Sequence, residues 1–479
     1  MENKSEFLKN VEIASNKIKE WIASGKKIRI TSHLDADGIS AAGIIGKALL
    51  REKAYFHIRI IRQLEKEFVL DLKKENVECF IFTDMGGGQL AILKEELSGK
   101  DIIILDHHKP VDPDFDNLIH VNPHKHGIDG TDHISGAGVA LFCAIALNEV
   151  NKDLAPLAIV GAIGDRQDKG DFNALIGLNR DIIKIGEDLK LLEEKKDLKI
   201  FGKETRPIHL ALKYTTEPFF PGISGNEDGC LRFLISIKIS IKKGNEFRTI
   251  SELNKEEKRT LVSELLKYGM SHGMDKRNAE SIIGMTYILL NEKKGTFLRD
   301  VNEFSSLLNS CGRSDKAGLG IAICMGDRDL ALLEAEENLS IYRRQLAESL
   351  SWFEKEYPIT ERDYILSFHG GEIIDEKIIG TITSIAAVSK MIKANKPLIG
   401  IAFSDNSYSK VSARGNRSLI EAGLDLGEAI RETLKKMNLD EEGGGHNIAA
   451  GARIPTKLEE DFLNLLNQTI QSQITKKYS

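Results

Sequence analysis

The sequence predicts an α/β protein in which the first 190 or so residues form a doubly wound parallel sheet, followed by a mid-chain α+β insertion and a C-terminal α+β domain. Three observations carry this. From Lys27 onward short apolar runs alternate with amphipathic helical patterns, between about Lys190 and Asp329 the pattern turns to mixed polarity, and beyond Thr360 apolar runs resume after a charged helix. Buried runs separated by helices are what a parallel sheet covered on both faces imposes on a sequence.

Taken in order, residues 28–31, 56–61, 79–83 and 101–105 are the first expected strands, and residues 38–50 form an amphipathic helix between the first two. Residues 157–164 read as a further strand in the same style. In the middle region, residues 235–242 alternate isoleucine with serine or lysine, the period of a half-buried strand. A charged helix is expected over 329–353, closed by Tyr357-Pro358, because the residue before proline is pushed out of helical geometry. Runs at 364–366, 398–403 and 410–413 predict the strands of the last domain. The expected domains are therefore 1–190, 191–330 and 360–479, with 331–359 as a connecting helix.

A chain of 479 residues has room for two to four domains, and 41% hydrophobic with 29% charged residues is ordinary globular composition, which excludes collagenous, coiled-coil and broadly disordered classes. No stretch approaches the ~20 apolar residues of a membrane span. The best run, 36–50, is broken by Asp37 and Lys47, and residues 1–10 lack the apolar core of a signal peptide, so a cytoplasmic protein without a membrane partner is expected. Cys79, Cys143, Cys230, Cys311 and Cys324 are scattered and never spaced C-x-x-C, which makes them core residues. With 66 Lys+Arg against 72 Asp+Glu the net charge is −6, so any site for a polyanion must be local.

Four islands share a position at or just beyond the C-terminal end of an expected strand: His33-Leu34-Asp35-Ala36-Asp37-Gly38, Asp84, Asp106-His107-His108, and Asp165. In open parallel sheets that edge is where ligands bind. One aspartate there is ordinarily a helix N-cap. Four islands converging give more carboxylates than can stay ionised side by side without a compensating cation. Mixed Asp/His ligation suits two divalent metals, with Mn²⁺ favoured over Ca²⁺ by the imidazoles and over zinc by the carboxylate excess. Two such ions about 3.5–4 Å apart acidify a bridging water and steady a leaving oxygen, which is the chemistry of phosphoester hydrolysis. An EF-hand beginning at Asp35 would need Glu where Gly46 stands, and Gly46-Lys47 is followed by Ala48, which no P-loop allows.

In order and spacing these four islands resemble the motifs of the DHH phosphoesterase superfamily, and Ser412-Ala413-Arg414-Gly415 with Gly443-Gly444-Gly445-His446-Asn447-Ile448-Ala449-Ala450-Gly451 resembles the substrate-binding domain associated with DHH enzymes. The resemblance covers about 1–190 and 360–479; with the insertion and the run Asn309-Ser310-Cys311-Gly312-Arg313 it is nearest to archaeal RecJ-like single-strand-specific exonucleases. It implies that His33, Asp35 and Asp84 hold one metal, that Asp37, Asp84, His107 and Asp165 hold the other, and that Asp84 bridges. It further implies that Asp106 orients its neighbours, that His108 donates a hydrogen bond near the scissile phosphate, and that two Mn²⁺ serve each active site with Mg²⁺ as the substitute. No motif position holds an inert residue, which argues against a catalytically dead relative.

The glycines Gly443, Gly444 and Gly445 read either as a flexible loop or as backbone N–H groups free to approach a phosphate, with His446 and Arg414 as further donors. The expected activity is metal-dependent exonucleolysis of single-stranded DNA or RNA to nucleoside 5′-monophosphates, in DNA replication or repair. The alternatives are an oligoribonuclease or cyclic-dinucleotide phosphodiesterase, and a replisome scaffold that docks the GINS complex and retains nuclease activity as a secondary role. Lys238, Lys242, Lys243, Arg313, Lys316 and Arg328 read either as solvated side chains or as a nucleic-acid contact, Trp352, Phe353 and Tyr357 as packing residues, and His369 as a structural histidine or a cleft residue.

Overall fold

The chain is described here by a computed structural model covering residues 2–215, 218–388, 395–404, 407–439 and 443–476. Strands Lys27–His33 (β1), Tyr55–Ile61 (β2), Cys79–Thr83 (β3), Asp101–Leu105 (β4) and Leu118–Val121 (β5) form an all-parallel sheet in the order β2-β1-β3-β4-β5. Side chains alternate across it. Ile81 and Ile103 join the core built with helices Glu2–Ala23, Ala36–Arg51 and Gly136–Leu147, while Phe80, Phe82, Ile102 and Ile104 join the one built with Lys66–Lys74 and Leu90–Glu96. This is the doubly wound architecture expected. The strand order reverses between β1 and β3, so the C-terminal ends of those strands open the crevice in which such folds bind ligands.

Residues 157–164 are not a strand. They belong to the helix Ala155–Gly164, with proline in its first turn. Ala158, Gly161 and Ala162 let it pack against the Ala36–Arg51 and Gly136–Leu147 helices so closely that a Cβ on Gly161 would lie 2.3 Å from Asp37 Oδ1 and 2.5 Å from Ala137 Cβ. A short helix buried all round is as uniformly apolar as a buried strand, and periodicity alone does not separate the two. Asp165 therefore reaches the sheet edge as the C-cap of a helix.

Leu192–Leu198 (β6) and Ile283–Leu289 (β9) pair antiparallel, and between them the chain closes around a separate core that includes Ile208, Phe220, Cys230, Leu234, Leu261 and Leu265. The alternating stretch 235–242 is corrected too. Glu227–Ser236 is a helix, N-capped by Asn226, that buries Cys230, Phe233 and Leu234 and ends with Lys238 in left-handed backbone (φ 57°). Ile235 faces solvent at 72% exposure, and only Lys242–Lys243 (β7) pairs, with Glu246–Phe247 (β8), in a short hairpin. Beyond β9 the chain returns to the first core: helices Val301–Arg313 and Ala317–Cys324 bury Phe304, Leu307, Leu308, Cys311 and Ile323.

The chain divides into units Met1–Leu339 and Ser340–Ser479, with the boundary inside the helix Leu330–Glu356. The second unit is a six-stranded mixed sheet of Thr360–Glu361 (β10), Leu366–His369 (β11), Leu398–Phe403 (β12), Tyr408–Arg414 (β13), Gly443–Gly445 (β14) and Ala449–Pro455 (β15), in the order β10-β11-β12-β13-β15-β14. Its faces are covered by Glu376–Val388 on one side and by Leu426–Lys436 and Glu459–Lys476 on the other. Phe353 packs edge-on against Phe368, with ring centroids 4.9 Å apart, the packing role expected of it. All five cysteines are buried and unpaired, and among the described residues no helix is long and apolar enough to cross a membrane.

Candidate metal centre

Each sequence island reaches the sheet edge by a definite local device. β1 ends at His33, and Asp35 caps the Ala36–Arg51 helix by accepting from Gly38 N–H at 3.0 Å. Position 38 must be glycine, since a Cβ there would lie 2.3 Å from the His33 carbonyl. Asp37 is wholly buried and accepts from Gly136 N–H (2.7 Å) and Ala137 N–H (2.9 Å), the first amides of the Gly136–Leu147 helix, whose positive end favours a carboxylate. Asp84 follows β3 in left-handed backbone (φ 56°), tied to the neighbouring strand by its N–H to Leu105 O at 3.0 Å. Asp106 follows β4; its Oδ1 accepts from His107 N–H (2.8 Å), His108 N–H (3.2 Å) and His108 Nδ1 (2.8 Å), and its Oδ2 from Gly87 N–H (2.9 Å).

These turns bring eight side chains into one cluster. His107 Nε2 is 3.2 Å from Asp84 Oδ1 and 3.7 Å from both Asp37 Oδ2 and Asp165 Oδ2. His33 Nδ1 is 3.0 Å from Asp35 Oδ2 and 3.8 Å from Asp84 Oδ2. Among the described residues, His33, Asp35 and Asp84 lie at ligand spacing from one another, as do Asp37, His107 and Asp165. Asp84, Asp106, His107 and His108 form a third such group, in which the Asp106 oxygens are already engaged by the four donors above.

The donor set fits divalent cations on two counts. His107 Nδ1 lies 2.8 Å from the Gly130 carbonyl, which can only accept, so Nδ1 carries the proton and Nε2 presents its lone pair to the cluster, the orientation a metal-ligating histidine takes. Second, His107 Nε2 and Asp84 Oδ1 are both buried without a hydrogen-bond partner. Burial first, then the Asp37 and Asp35 carboxylates, pushes Asp84 well above the usual carboxylate range. Asp165 rises to about 7 through burial and Asp37, against the opposing pull of His107. A cation would relieve both. His108, half exposed with 46% of its side chain accessible, is pushed up to about 9 by the Asp106 carboxylate and stays a protonated donor near neutral pH.

Further residues support the cluster; of these Gln167 carries no signal in the sequence, because a single amide side chain has no periodicity, whereas Asn309 lies in a run that the sequence singles out without its contact. Gln167 is buried, donates to Asp165 Oδ2 (3.0 Å) and shares the Gly130 carbonyl with His107. Asn122 donates to His108 O at 2.8 Å, and Asn309 Oδ1 accepts from Ala36 N–H at 3.0 Å. Exposed Arg62 follows Ile61, the register partner of His33.

In the second unit, Gly443–Gly445 form an edge strand rather than a loop; Gly445 takes φ 139°, and a Cβ there would lie 2.5 Å from the Ala449 carbonyl. The pairing Arg414↔Ala449 and Ala450↔Gly445 sets Arg414, Gly445 and exposed His446 at one end of that sheet. The Arg414 guanidinium donates to Ser384 Oγ (2.7 Å) and Ala413 O (2.8 Å). Arg431 lies against the glycine strand, with Nη1 3.2 Å from where a Gly444 Cβ would stand. His369 is engaged by Glu459 at 3.1 Å and Gly371 N–H at 2.8 Å, which favours its structural reading, and Arg328 pairs with Glu292 at 2.6 Å.

Comparison with known proteins places these features in context. The DHH family, N-terminal domain, matches residues 27–162, the DHH-CID domain 200–283 and the DHHA1 domain 364–472. The chain is 32% identical over 481 residues to an uncharacterized protein of Methanocaldococcus jannaschii, covering 98% of this chain and 100% of that one. It is 31% identical over 190 residues to the single-stranded-DNA-specific exonuclease RecJ of Thermus thermophilus, covering 37% of this chain and 27% of RecJ. The RecJ crystal structure in complex with Mn²⁺ superposes with a TM-score of 0.59 at 19% identity, covering 97% of this chain and 55% of that one. That of CDC45 from Entamoeba histolytica gives 0.66 at 12% identity, covering 96% and 99%. The two structural likenesses are of fold.

Proposed function

The chain belongs to the DHH family of phosphoesterases, and from that premise we propose that it is a divalent-metal-dependent exonuclease that shortens single-stranded nucleic acid to nucleoside 5′-monophosphates. The observation that carries the reading is the buried, unpartnered pair of Asp84 Oδ1 and His107 Nε2, a donor set complete except for a cation. His33, Asp35 and Asp84 would hold one ion and Asp37, His107 and Asp165 the other, with Asp84 shared. Bound there, Mn²⁺ or Mg²⁺ would supply Lewis acidity toward the phosphate ester.

The remaining work falls to the chain's own residues. Asp106, with both oxygens engaged, fixes the His107-His108 backbone and holds the His108 imidazole protonated, so His108 donates toward a phosphate oxygen from the mouth of the site. Gln167 holds Asp165 from behind. In the first unit Arg62 beside the first motif, and in the second unit Arg414, Arg431, His446 and the Gly443–Gly445 amides, are groups of the kind that contact nucleic-acid phosphates. The separately cored segment 198–283 favours a long strand or a protein partner over a dinucleotide. A second reading, a replisome scaffold with secondary nuclease activity, draws on the fold likeness to CDC45. A panel of single-stranded DNA and RNA from dinucleotide to 30-mer, incubated with Mn²⁺, tests the proposal. Stepwise shortening of long strands supports it, loss of dinucleotides alone supports the small-substrate alternative, and inactivity with capture of GINS supports the scaffold.

A further inference from the structure

The helix Val301–Arg313 touches the metal-ligand loop at one end and is bolted down at the other. At its C-terminal end Asn309 Oδ1 accepts from the N–H of Ala36, the residue between Asp35 and Asp37. One turn further, a Cβ on Gly312 would lie 1.6 Å from the Leu34 carbonyl, so helix backbone and ligand loop meet with no side chain between them. At the N-terminal end buried Asp300 caps the helix by accepting from Asn302 N–H (3.0 Å) and Glu303 N–H (3.2 Å), and its Oδ2 pairs with buried Lys203 at 2.8 Å. Buried Glu303 accepts from Glu204 N–H at 2.9 Å and from the Thr205 hydroxyl. Thirteen helical residues span about 20 Å, so a rigid rod joins residues 203–205 to residues 34–36.

We propose that Asn309 is a positioning residue for the metal centre: by accepting from Ala36 N–H it fixes the backbone from which Asp35 and Asp37 reach their ions. Ala36 opens its helix, and its amide is one of the four that no helical carbonyl can satisfy. Asp35 accepts from Gly38 N–H and leaves that of Ala36 to Asn309, supplied from far along the chain. Without the acceptor a partly buried donor loses its partner, and the loop bearing two ligands is free to turn. The clamp of Lys203, Asp300 and Glu303 keeps Asn309 in register with that loop. Partners of this kind, which orient ligands without touching the metal, typically contribute about 10–100-fold in metal affinity.

The inference rests on the metal-centre reading above, and its test separates the two. Mn²⁺ is titrated calorimetrically into the full-length wild type, Asn309→Leu, which keeps the size and removes the acceptor, and Asn309→Asp, which keeps the acceptor. Asn309→Leu is expected to bind Mn²⁺ about 10–100-fold more weakly, with hydrolysis restored at saturating Mn²⁺, and Asn309→Asp to bind at least as tightly as wild type. Amide exchange at Ala36 in the unmodified protein supplies a readout that needs no variant and is expected to be strongly protected. Equal Mn²⁺ affinity in wild type and Asn309→Leu, or unprotected exchange at Ala36, overturns the role of Asn309 alone. A wild type that binds no Mn²⁺ overturns the metal centre and this inference with it.

Discussion

Asp84 Oδ1 and His107 Nε2 face each other at 3.2 Å, sealed from water and joined by no hydrogen bond. The Nδ1 proton of His107 is committed to Gly130 O on the far side of the ring, so Nε2 turns toward Asp84 and lies 3.7 Å from both Asp37 Oδ2 and Asp165 Oδ2. Such an arrangement is unfavourable in the absence of a cation and favourable in its presence.

Asp84→Asn therefore separates stability from activity. Measured in chelator near pH 7.5, the variant is expected to unfold about 2–4 °C higher than wild type, because it removes a buried charge pushed far above its ordinary range by burial and by Asp37. Its hydrolytic rate should fall by about a thousandfold or more. A lower unfolding temperature in chelator would show that Asp84 is a structural carboxylate.

Metal addition should act in the opposite sense on the wild type. Mn²⁺ at about 100 times its dissociation constant is expected to add about 2.7 kcal/mol of stability, with a further rise as concentration increases. Asp165→Ala, which removes one carboxylate of the Asp37, His107 and Asp165 group, should lose most of that gain. Chelation should abolish hydrolysis and added Mn²⁺ restore it.

Glu303 sets a pH dependence far from the metal ligands. Burial, with the Asp300 charge adding to it, raises its carboxyl from the ordinary 4.5 to about 7. Below about pH 4.5 folded and unfolded chains both carry the proton and Glu303 costs nothing. Between about pH 4.5 and 7 only the unfolded chain has released it, so stability falls across that window by on the order of 3 kcal/mol, and levels off once the folded chain releases it too. Glu303→Gln should flatten this slope: between pH 5 and 8 in chelator, wild type declines relative to the variant in thermal unfolding. Parallel curves would contradict the assignment.

Gly161→Ala tests the packing behind Asp37. The added methyl would meet Asp37 Oδ1 at 2.3 Å and Ala137 Cβ at 2.5 Å, both held by their own helices. A loss of about 1–3 kcal/mol in stability is expected, with weakened Mn²⁺ binding because the Asp37 carboxylate must shift.

The sheet and three of the four islands were legible because buried parallel strands leave continuous apolar runs, and the residue after each run is forced to the C-terminal edge. Asp165 was placed correctly for an incorrect local reason: an apolar octet reads alike as a buried strand or as a helix enclosed on all sides, and the small residues at 158, 161 and 162 select the helix only once their neighbours are known. The alternation at 235–242 misled because a helix terminus and the turn after it happened to place isoleucine at every second position, with Lys238 in left-handed backbone between them. Gln167 and the support that Asn309 gives Ala36 were not legible. Their contacts are made across the fold, and Gly312 needs to lack a Cβ only because Leu34 lies against it.

The activity proposed for this chain is metal-dependent, end-directed cleavage of single strands. It is tested most directly by following 5′- and 3′-end-labelled single-stranded 20-mers of DNA and RNA with Mn²⁺, using wild type beside Asp84→Ala and Asp165→Ala. Stepwise loss of nucleotides from one end by the wild type, abolished in both variants, is the expected result. Undiminished cleavage by either variant, or a wild type that leaves every strand intact, would contradict it.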